Sequence, residues 1–138
     1  MSIQRIFAAS DFSPAAQQAA DRAVQLAAAH GAVLRLLHAR QRGGWLQELG
    51  AEELQPQLRQ QMEGAIDDAL QNERARLAAS GVEVQAELLP DALHRELEGV
   101  LARHPAQLLV MGAHGEASWQ DLLLGSTADR VLRLHRLP

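Results

Sequence analysis

The chain has neither cysteine nor lysine among its 138 residues. Without cysteine it can form no disulfide, no thiolate metal site and no cysteine nucleophile. Without lysine it lacks the cation that a P-loop places on phosphate and the amine that Schiff-base chemistry needs. All 13 basic residues are arginine, so any phosphate chemistry must rest on arginine, hydroxyl groups and backbone amides.

Aromatic residues and long apolar runs are also scarce. Aromatics make up 3% of a chain that is 47% hydrophobic, which predicts a core of leucine, alanine, valine and isoleucine. No run reaches the roughly 20 apolar residues of a membrane helix, so we expect no membrane insertion. A net charge of −4 disfavours nucleic acid as the main partner. Residues 1–5 enter an apolar run without a signal-peptide pattern, which predicts a cytoplasmic protein.

Short apolar runs alternate with helical patterns along the whole chain. This order predicts one domain, 1–138, of the α/β class, with an open doubly wound parallel sheet and right-handed crossovers. The third strand alternates polar and apolar residues, which indicates an edge strand with one wet face. The predicted strands span residues 3–9, 33–39, 82–88 and 108–111; the predicted helices span 14–30, about 56–79, about 91–104 and 127 to about 135.

The first and fourth predicted strands both end in residues suited to ligand binding. In open parallel sheets, ligands bind beyond the carboxyl ends of the strands, where the strand order reverses. Ser10 and Asp11 follow the first strand, and Gly112 to His114 follow the fourth. We therefore expect these two segments to lie side by side at a binding crevice.

A spaced set of glycines follows the fourth strand. Gly112 and Gly115 lie three residues apart, and Gly125 comes ten residues later, directly before Ser126 and Thr127. Glycine lets a backbone approach an anion closely and tolerates positive φ. Hydroxyls at a helix N-terminus add donors where the helix dipole already favours negative charge. The pattern predicts a phosphate-binding loop; an ordinary turn followed by an unrelated helix cap is the alternative.

This spacing resembles the motif of the universal stress protein family in its ATP-binding branch, Gly-x2-Gly-x9-Gly-Ser/Thr. Gly112, Gly115, Gly125 and Ser126 fill every position of that motif. The resemblance covers nearly the whole chain and implies a Rossmann-like sheet of order 3-2-1-4-5. It also implies ATP, with adenine near Ala39. The implied nucleotide-binding residues are Ala9, Ser10, Asp11, Ala39, Met111, Gly112, His114, Gly115, Gly125, Ser126 and Thr127.

The chain also departs from the family pattern. Gln107 stands where the family usually has aspartate before the fourth strand, and Glu116 stands where it often has arginine. The glutamate makes the phosphate side less positive. The chain stops at Pro138, where the family's fifth strand would begin, so we expect that strand to be missing from this chain. A truncated chain and one half of a tandem protein are both open, and we expect a homodimer or a tandem-domain partner.

Several residues have two interpretations. Asp11 is expected to accept hydrogen bonds from the ribose hydroxyls, or else to act only as a turn residue, and Ser10 has the same two roles. His114 is either a phosphate contact or a solvated loop residue. His38 is interpreted as a structural histidine, and no metal site is expected from the histidines. Roles for Trp45 and Trp119 stay open.

The resemblance implies a cytoplasmic regulatory protein of the stress response that binds an adenine nucleotide. With no lysine and no arginine inside the glycine motif, we expect a nucleotide-sensing switch rather than an enzyme, although slow hydrolysis stays open. Mg²⁺ would enter, if at all, with the nucleotide phosphates. The alternatives are a nucleotide-independent, protein-binding member of the family and a nucleotidyl transferase. The second lacks support, because neither His-x-Gly-His nor Ser-Gly-Gly-x-Asp-Ser occurs near the first strand.

The glycine motif leads to a direct test. Gly115→Val places a branched side chain where phosphate should approach the backbone. We expect ATP affinity to fall by more than about tenfold, or about 1.4 kcal/mol, while the fold is retained. Calorimetric titration with circular dichroism as the folding control measures this. A folded variant with unchanged ATP affinity would contradict the motif assignment.

Overall fold

The computed structural model describes residues 2–39 and 56–112. In these two segments, strands and helices follow in the predicted order, and none of the helices is long and apolar enough to cross a membrane. The predicted last helix lies outside the described residues. The elements are β1 (Arg5–Ala9), α1 (Pro14–His30), β2 (Val33–Ala39), α2 (Pro56–Ala78), β3 (Val84–Leu89), α3 (Leu93–Arg103) and β4 (Leu108–Met111).

The described strands form one parallel sheet in the order β3-β2-β1-β4. β1 lies inside the sheet, where Phe7 is paired with Arg35 of β2 on one side and Leu109 of β4 on the other. The chain builds outward from β1 through β2 and β3, and then returns to place β4 on the opposite side of β1. The predicted α/β class and order 3-2-1-4 are confirmed, with the reversal between β1 and β4. The fifth strand stays a prediction.

Helices cover the two faces of this sheet. Side chains alternate between the faces along each strand. Even-numbered strand residues pack with α1 and α2, and odd-numbered ones pack with α3. The core is mainly aliphatic, as the composition predicts. Its fully buried large side chains are Ile6, Phe7, Leu34, Leu36, Leu37, Leu70, Leu89, Leu97 and Val100.

Local sequence explains where α1 begins and ends. The hydroxyl of Ser13 accepts a hydrogen bond from the backbone N–H of Ala16 at 3.1 Å, and Pro14 is the first helical residue. Gly31 ends the helix with a φ of 62°, a left-handed conformation that glycine adopts without strain. Mostly small side chains face the sheet and let the helix lie close to it. They are Ala16, Ala20, Ala23, Val24 and Ala27.

Some predicted boundaries are wrong by a few residues. β1 begins at Arg5 rather than at residue 3, because the side-chain oxygen of Gln107 accepts hydrogen bonds from the N–H groups of Gln4 and Arg5, at 2.8 and 2.9 Å. α3 begins at Leu93 rather than at residue 91, because the Asp91 carboxylate accepts the N–H of Ala92 in a turn. β3 is shifted to 84–89 from the predicted 82–88, and α2 ends one residue early.

β3 lies at the edge of the described sheet, as predicted, but the face expected to be wet carries ion pairs. Glu87 accepts hydrogen bonds from Arg35 at 2.6 Å and from Arg103 at 2.7 Å, and Arg35 also donates to Gln85 at 2.7 Å. Burial acts to raise the pKa of Glu87, but the hydrogen bonds from Arg103 and Arg35 outweigh it and lower the pKa. The charged carboxylate thus ties the end of α3 to β2 and β3.

The packing of α3 can be tested with two leucines. Leu97 is fully buried, whereas Leu58 on α2 is 40% exposed. Leu97→Ala should lower the free energy of unfolding by about 2–5 kcal/mol, because it opens a cavity under α3. Leu58→Ala is the matched control and should cost no more than about 0.5 kcal/mol. Urea denaturation measures both values, and similar losses would contradict the described core.

Candidate functional site

The carboxyl ends of β1, β2 and β4 meet at one edge of the sheet. Ala9 lies opposite Leu37 of β2 and opposite Met111 of β4. The N–H of Ser10 still donates to the carbonyl of Leu37 at 2.9 Å, so the loop after β1 leaves the sheet directly at this edge. Ala39 ends β2 two residues further on. The structure therefore brings together the predicted site residues Ala9, Ser10, Asp11, Ala39, Met111 and Gly112.

The loop between β1 and α1 is a tight turn built from its own polar side chains. The Ser10 hydroxyl accepts a hydrogen bond from the N–H of Phe12 at 3.0 Å, and the Asp11 carboxylate accepts one from the N–H of Ser13 at 2.9 Å. The turn role considered for Asp11 is thus present. The role of Asp11 toward a ribose stays a prediction.

Phe12 holds an unusual backbone conformation in this turn. Its φ is 64°, in the left-handed region that residues with a side chain rarely adopt. Such a conformation costs on the order of 1–3 kcal/mol and persists only where the surroundings enforce it. Sequence reasoning missed this feature, because nothing in Asp11-Phe12-Ser13 indicates a positive φ.

His38, near the end of β2, contacts this loop from the neighbouring strand. Its Nδ1 lies 2.8 Å from the carbonyl oxygen of Ser10, and its ring stacks on Phe12 with 4.4 Å between centroids. Because a carbonyl only accepts, Nδ1 must carry the proton. Burial lowers the pKa of His38, although the bond to Ser10 and the charge of Asp11 act to raise it. The structural role predicted for His38 agrees with these contacts.

Gly112 is buried where β4 ends, against the first turn of α1. A Cβ atom at this position would lie 3.0 Å from the carbonyl carbon of Ala15 and 3.1 Å from the nitrogen of Ala16. The φ of Gly112 is outside the left-handed region, so the freedom to adopt positive φ is not used here. The sequence indicated that this glycine lets the backbone approach an anion closely. The observed reason for glycine is close approach to a helix backbone, and the contact with phosphate stays a prediction.

The electrostatic setting of this edge comes from backbone as well as from side chains. Because Gly112 packs on residues 15 and 16, the positive end of the α1 dipole lies beside the point where β1 and β4 diverge. Within residues 2–39 and 56–112, no three histidine, aspartate or glutamate side chains are grouped to hold a metal ion. In these two segments, the candidate site consists of backbone groups and polar side chains that include the Asp11 carboxylate.

Part of the predicted site lies outside the described residues. This applies to His114, Gly115, Gly125, Ser126 and Thr127, and to Trp45 and Trp119. Three features of the described part were not visible in the sequence: the positive φ of Phe12, the contact of His38 with the loop, and the packing of Gly112 on α1. The sequence singled out His38 and Gly112, but the residues that they contact lie far away along the chain.

The packing of Gly112 can be tested against a second glycine. Gly112→Ala forces α1 and β4 apart by a few tenths of an ångström, and we expect a loss of about 1–3 kcal/mol in the free energy of unfolding. Gly99, inside α3, has open space within 4 Å of the position that a Cβ would take, so Gly99→Ala should be neutral or gain up to about 1 kcal/mol. Thermal and urea denaturation measure both. A neutral Gly112→Ala would contradict the close contact.

Known proteins resemble this chain over nearly its full length. The family model described as "Universal stress protein family" matches residues 2–138. Universal stress protein MJ0577 of Methanocaldococcus jannaschii is 22% identical over 87 residues, which cover 63% of this chain and 54% of that protein. That alignment thus spans about half the length of the curated relative.

Solved structures share the fold. The structure of MJ0577 superposes with a TM-score of 0.78 at 20% identity and covers 100% of this chain and 94% of its own. Universal stress protein UspA from Lactobacillus plantarum has a TM-score of 0.72 at 25% identity, covering 96% of this chain and 92% of its own. A universal stress protein in complex with cAMP has a TM-score of 0.68 at 25% identity, covering 96% and 90%.

The family model and the sheet lead to the same result. The match extends over all but the first residue, and the observed strand order agrees with the order that the sequence resemblance implies. The chain belongs to the universal stress protein family.

Proposed function

We propose that this chain is a cytoplasmic regulatory protein of the stress response that binds an adenine nucleotide, with ATP as the ligand. One observation carries the proposal: the pairing of Ala9 with Met111 brings Ser10 and Asp11 beside Gly112, the first glycine of the Gly-x2-Gly-x9-Gly-Ser motif. The crevice between β1 and β4 is where an open parallel sheet binds its ligand.

The chemistry of the edge suits a nucleoside phosphate. Asp11 would accept hydrogen bonds from the ribose hydroxyls, and the adenine base would lie near Ala39 at the end of β2. Gly112 begins the backbone segment proposed for phosphate, beside the N-terminus of α1. A fold relative has been solved with cAMP, which supports the class of adenine nucleotides for this family and, by extension, for this chain.

The same residues suit a switch better than a catalyst. No lysine is present to contact phosphate, and the glycine motif contains no arginine. The proposed role is therefore a nucleotide-sensing protein with little or slow hydrolysis, in which the ligand shifts the population of conformations. Mg²⁺ would arrive on the nucleotide phosphates. We also propose that the chain forms a homodimer or pairs with a tandem domain.

A nucleotide-independent role in protein binding is the alternative within the family. Glu116 favours it, because a carboxylate directly after the second glycine opposes the binding of phosphate. Calorimetric titration of the purified chain with ATP, AMP, cAMP and adenosine separates the two functions. Binding of ATP above adenosine supports the proposed switch, and no binding of any of the four would support the alternative.

Two substitutions distinguish contacts with the ribose from contacts with the phosphates. Asp11→Asn keeps the oxygen that accepts the Ser13 N–H but removes the charge, and should weaken ATP and adenosine alike, by about 1–2 kcal/mol or roughly five- to thirtyfold. Ser126→Ala should weaken ATP more than adenosine, because only ATP carries phosphates. Calorimetric titration with both ligands measures this pattern.

Asp21→Asn provides the control for loss of one negative charge, since Asp21 is exposed on α1 and pairs with Arg76. Its ATP affinity should equal that of the wild type. If Asp11→Asn binds both ligands as the wild type does, Asp11 has only its turn role. If Ser126→Ala weakens both ligands equally, Ser126 acts through the helix end alone.

A further inference from the structure

The loop that carries Asp11 is held in a conformation that it would not adopt by itself. Phe12 has a φ of 64°, which its Cβ disfavours, and the hydrogen bonds within the turn join only near neighbours in sequence. Local bonds of this kind also form in unfolded chains, so a strained turn needs support from a distant and rigid part of the fold.

His38 supplies that support from β2. It is 28 residues away from Ser10 in sequence, and its backbone is fixed in the sheet by the pairing of His38 with Leu88 of β3. Nδ1 donates to the Ser10 carbonyl at 2.8 Å, directly before Asp11, and the ring stacks on Phe12, directly after it. The two contacts therefore hold the residues that directly precede and follow Asp11 in sequence.

We propose that His38 is the positioning residue of the ligand loop, and that its Nδ1–H bond to Ser10 sets the place of Asp11 for binding the ribose of a nucleotide. The inference rests on the proposed nucleotide site. It goes beyond a structural role, because it states that nucleotide affinity depends on one donor atom, Nδ1 of His38, which contacts the loop but not the ligand. His38 acts through Ser10 and Phe12.

Two amide side chains separate the donor from the ring. In His38→Asn, the amide nitrogen is bonded to Cγ, as Nδ1 is, so a donor remains near the Ser10 carbonyl. In His38→Gln, the amide lies one bond further out and is misplaced. Both variants lose the stack on Phe12, so their difference reports the hydrogen bond. We expect His38→Gln to weaken ATP and adenosine by about tenfold relative to His38→Asn, the equivalent of one hydrogen bond.

Val84→Ala is the control for general loss of stability. Val84 is buried in the core against α1 and α2, at the amino end of β3 and away from the ligand edge. Titrations are made at a temperature where every variant is folded by circular dichroism. Val84→Ala should then bind ATP as the wild type does. If His38→Gln does not fold, His38→Ala makes the same comparison, because it removes the donor without adding a polar group.

The outcomes distinguish the two proposals. A wild-type chain that binds none of the nucleotides overturns the proposed function, and the positioning role with it. A wild type that binds, together with His38 variants that bind equally well, overturns the positioning role alone. Equal losses in His38→Asn and His38→Gln, or a comparable loss in Val84→Ala, show a merely structural histidine and also overturn it. Retained affinity in His38→Asn with loss in His38→Gln supports the proposal.

Discussion

The burial of β1 on both faces is the constraint on which the rest of the described structure depends. Ile6, Phe7 and Ala8 are at most 1% exposed, and the strand pairs with β2 on one side and β4 on the other. A strand in this position must be apolar on successive residues, and its register sets the register of both neighbours. Once Ala9 is opposite both Leu37 and Met111, the three carboxyl ends lie at one edge. This register alone makes neighbours of the residues that follow the three strands.

Two close contacts fix the segments that leave the sheet at that edge. On the β4 side, Gly112 lets the strand end against the backbone of α1, because a Cβ would meet Ala15 and Ala16. On the β2 side, His38 binds the Ser10 carbonyl and stacks on Phe12. Each contact joins segments that the chain order keeps apart. The arrangement of these segments is therefore a product of packing between elements.

Membership of the universal stress protein family accounts for the fold but leaves the choice of ligand to the individual site. The described edge carries the Asp11 carboxylate, backbone groups and the N-terminus of α1, which in our proposal contact the ribose and the phosphates. The glycine motif contains no lysine or arginine, and Glu116 places a negative charge within it. In the proposed switch, affinity would therefore come from backbone geometry more than from charge, and the precision of the loop after β1 matters accordingly.

The resemblance to the universal stress protein family implied the strand order, whereas the amino-acid sequence alone was sufficient for the α/β class and for the bounds of α1, β2 and β4. These follow from local signals: Ser13 and Pro14 begin a helix, Gly31 ends it, and continuous apolar runs indicate buried parallel strands. It also pointed to Asp11 and Gly112 as residues of the proposed ligand edge. Only the tertiary structure decided that Gly112 must be glycine because of α1, that Phe12 is strained, and that His38 binds Ser10. Those three facts depend on contacts between segments distant in sequence. Patterns of hydrophobicity and spacing do not indicate which distant residues will be in contact.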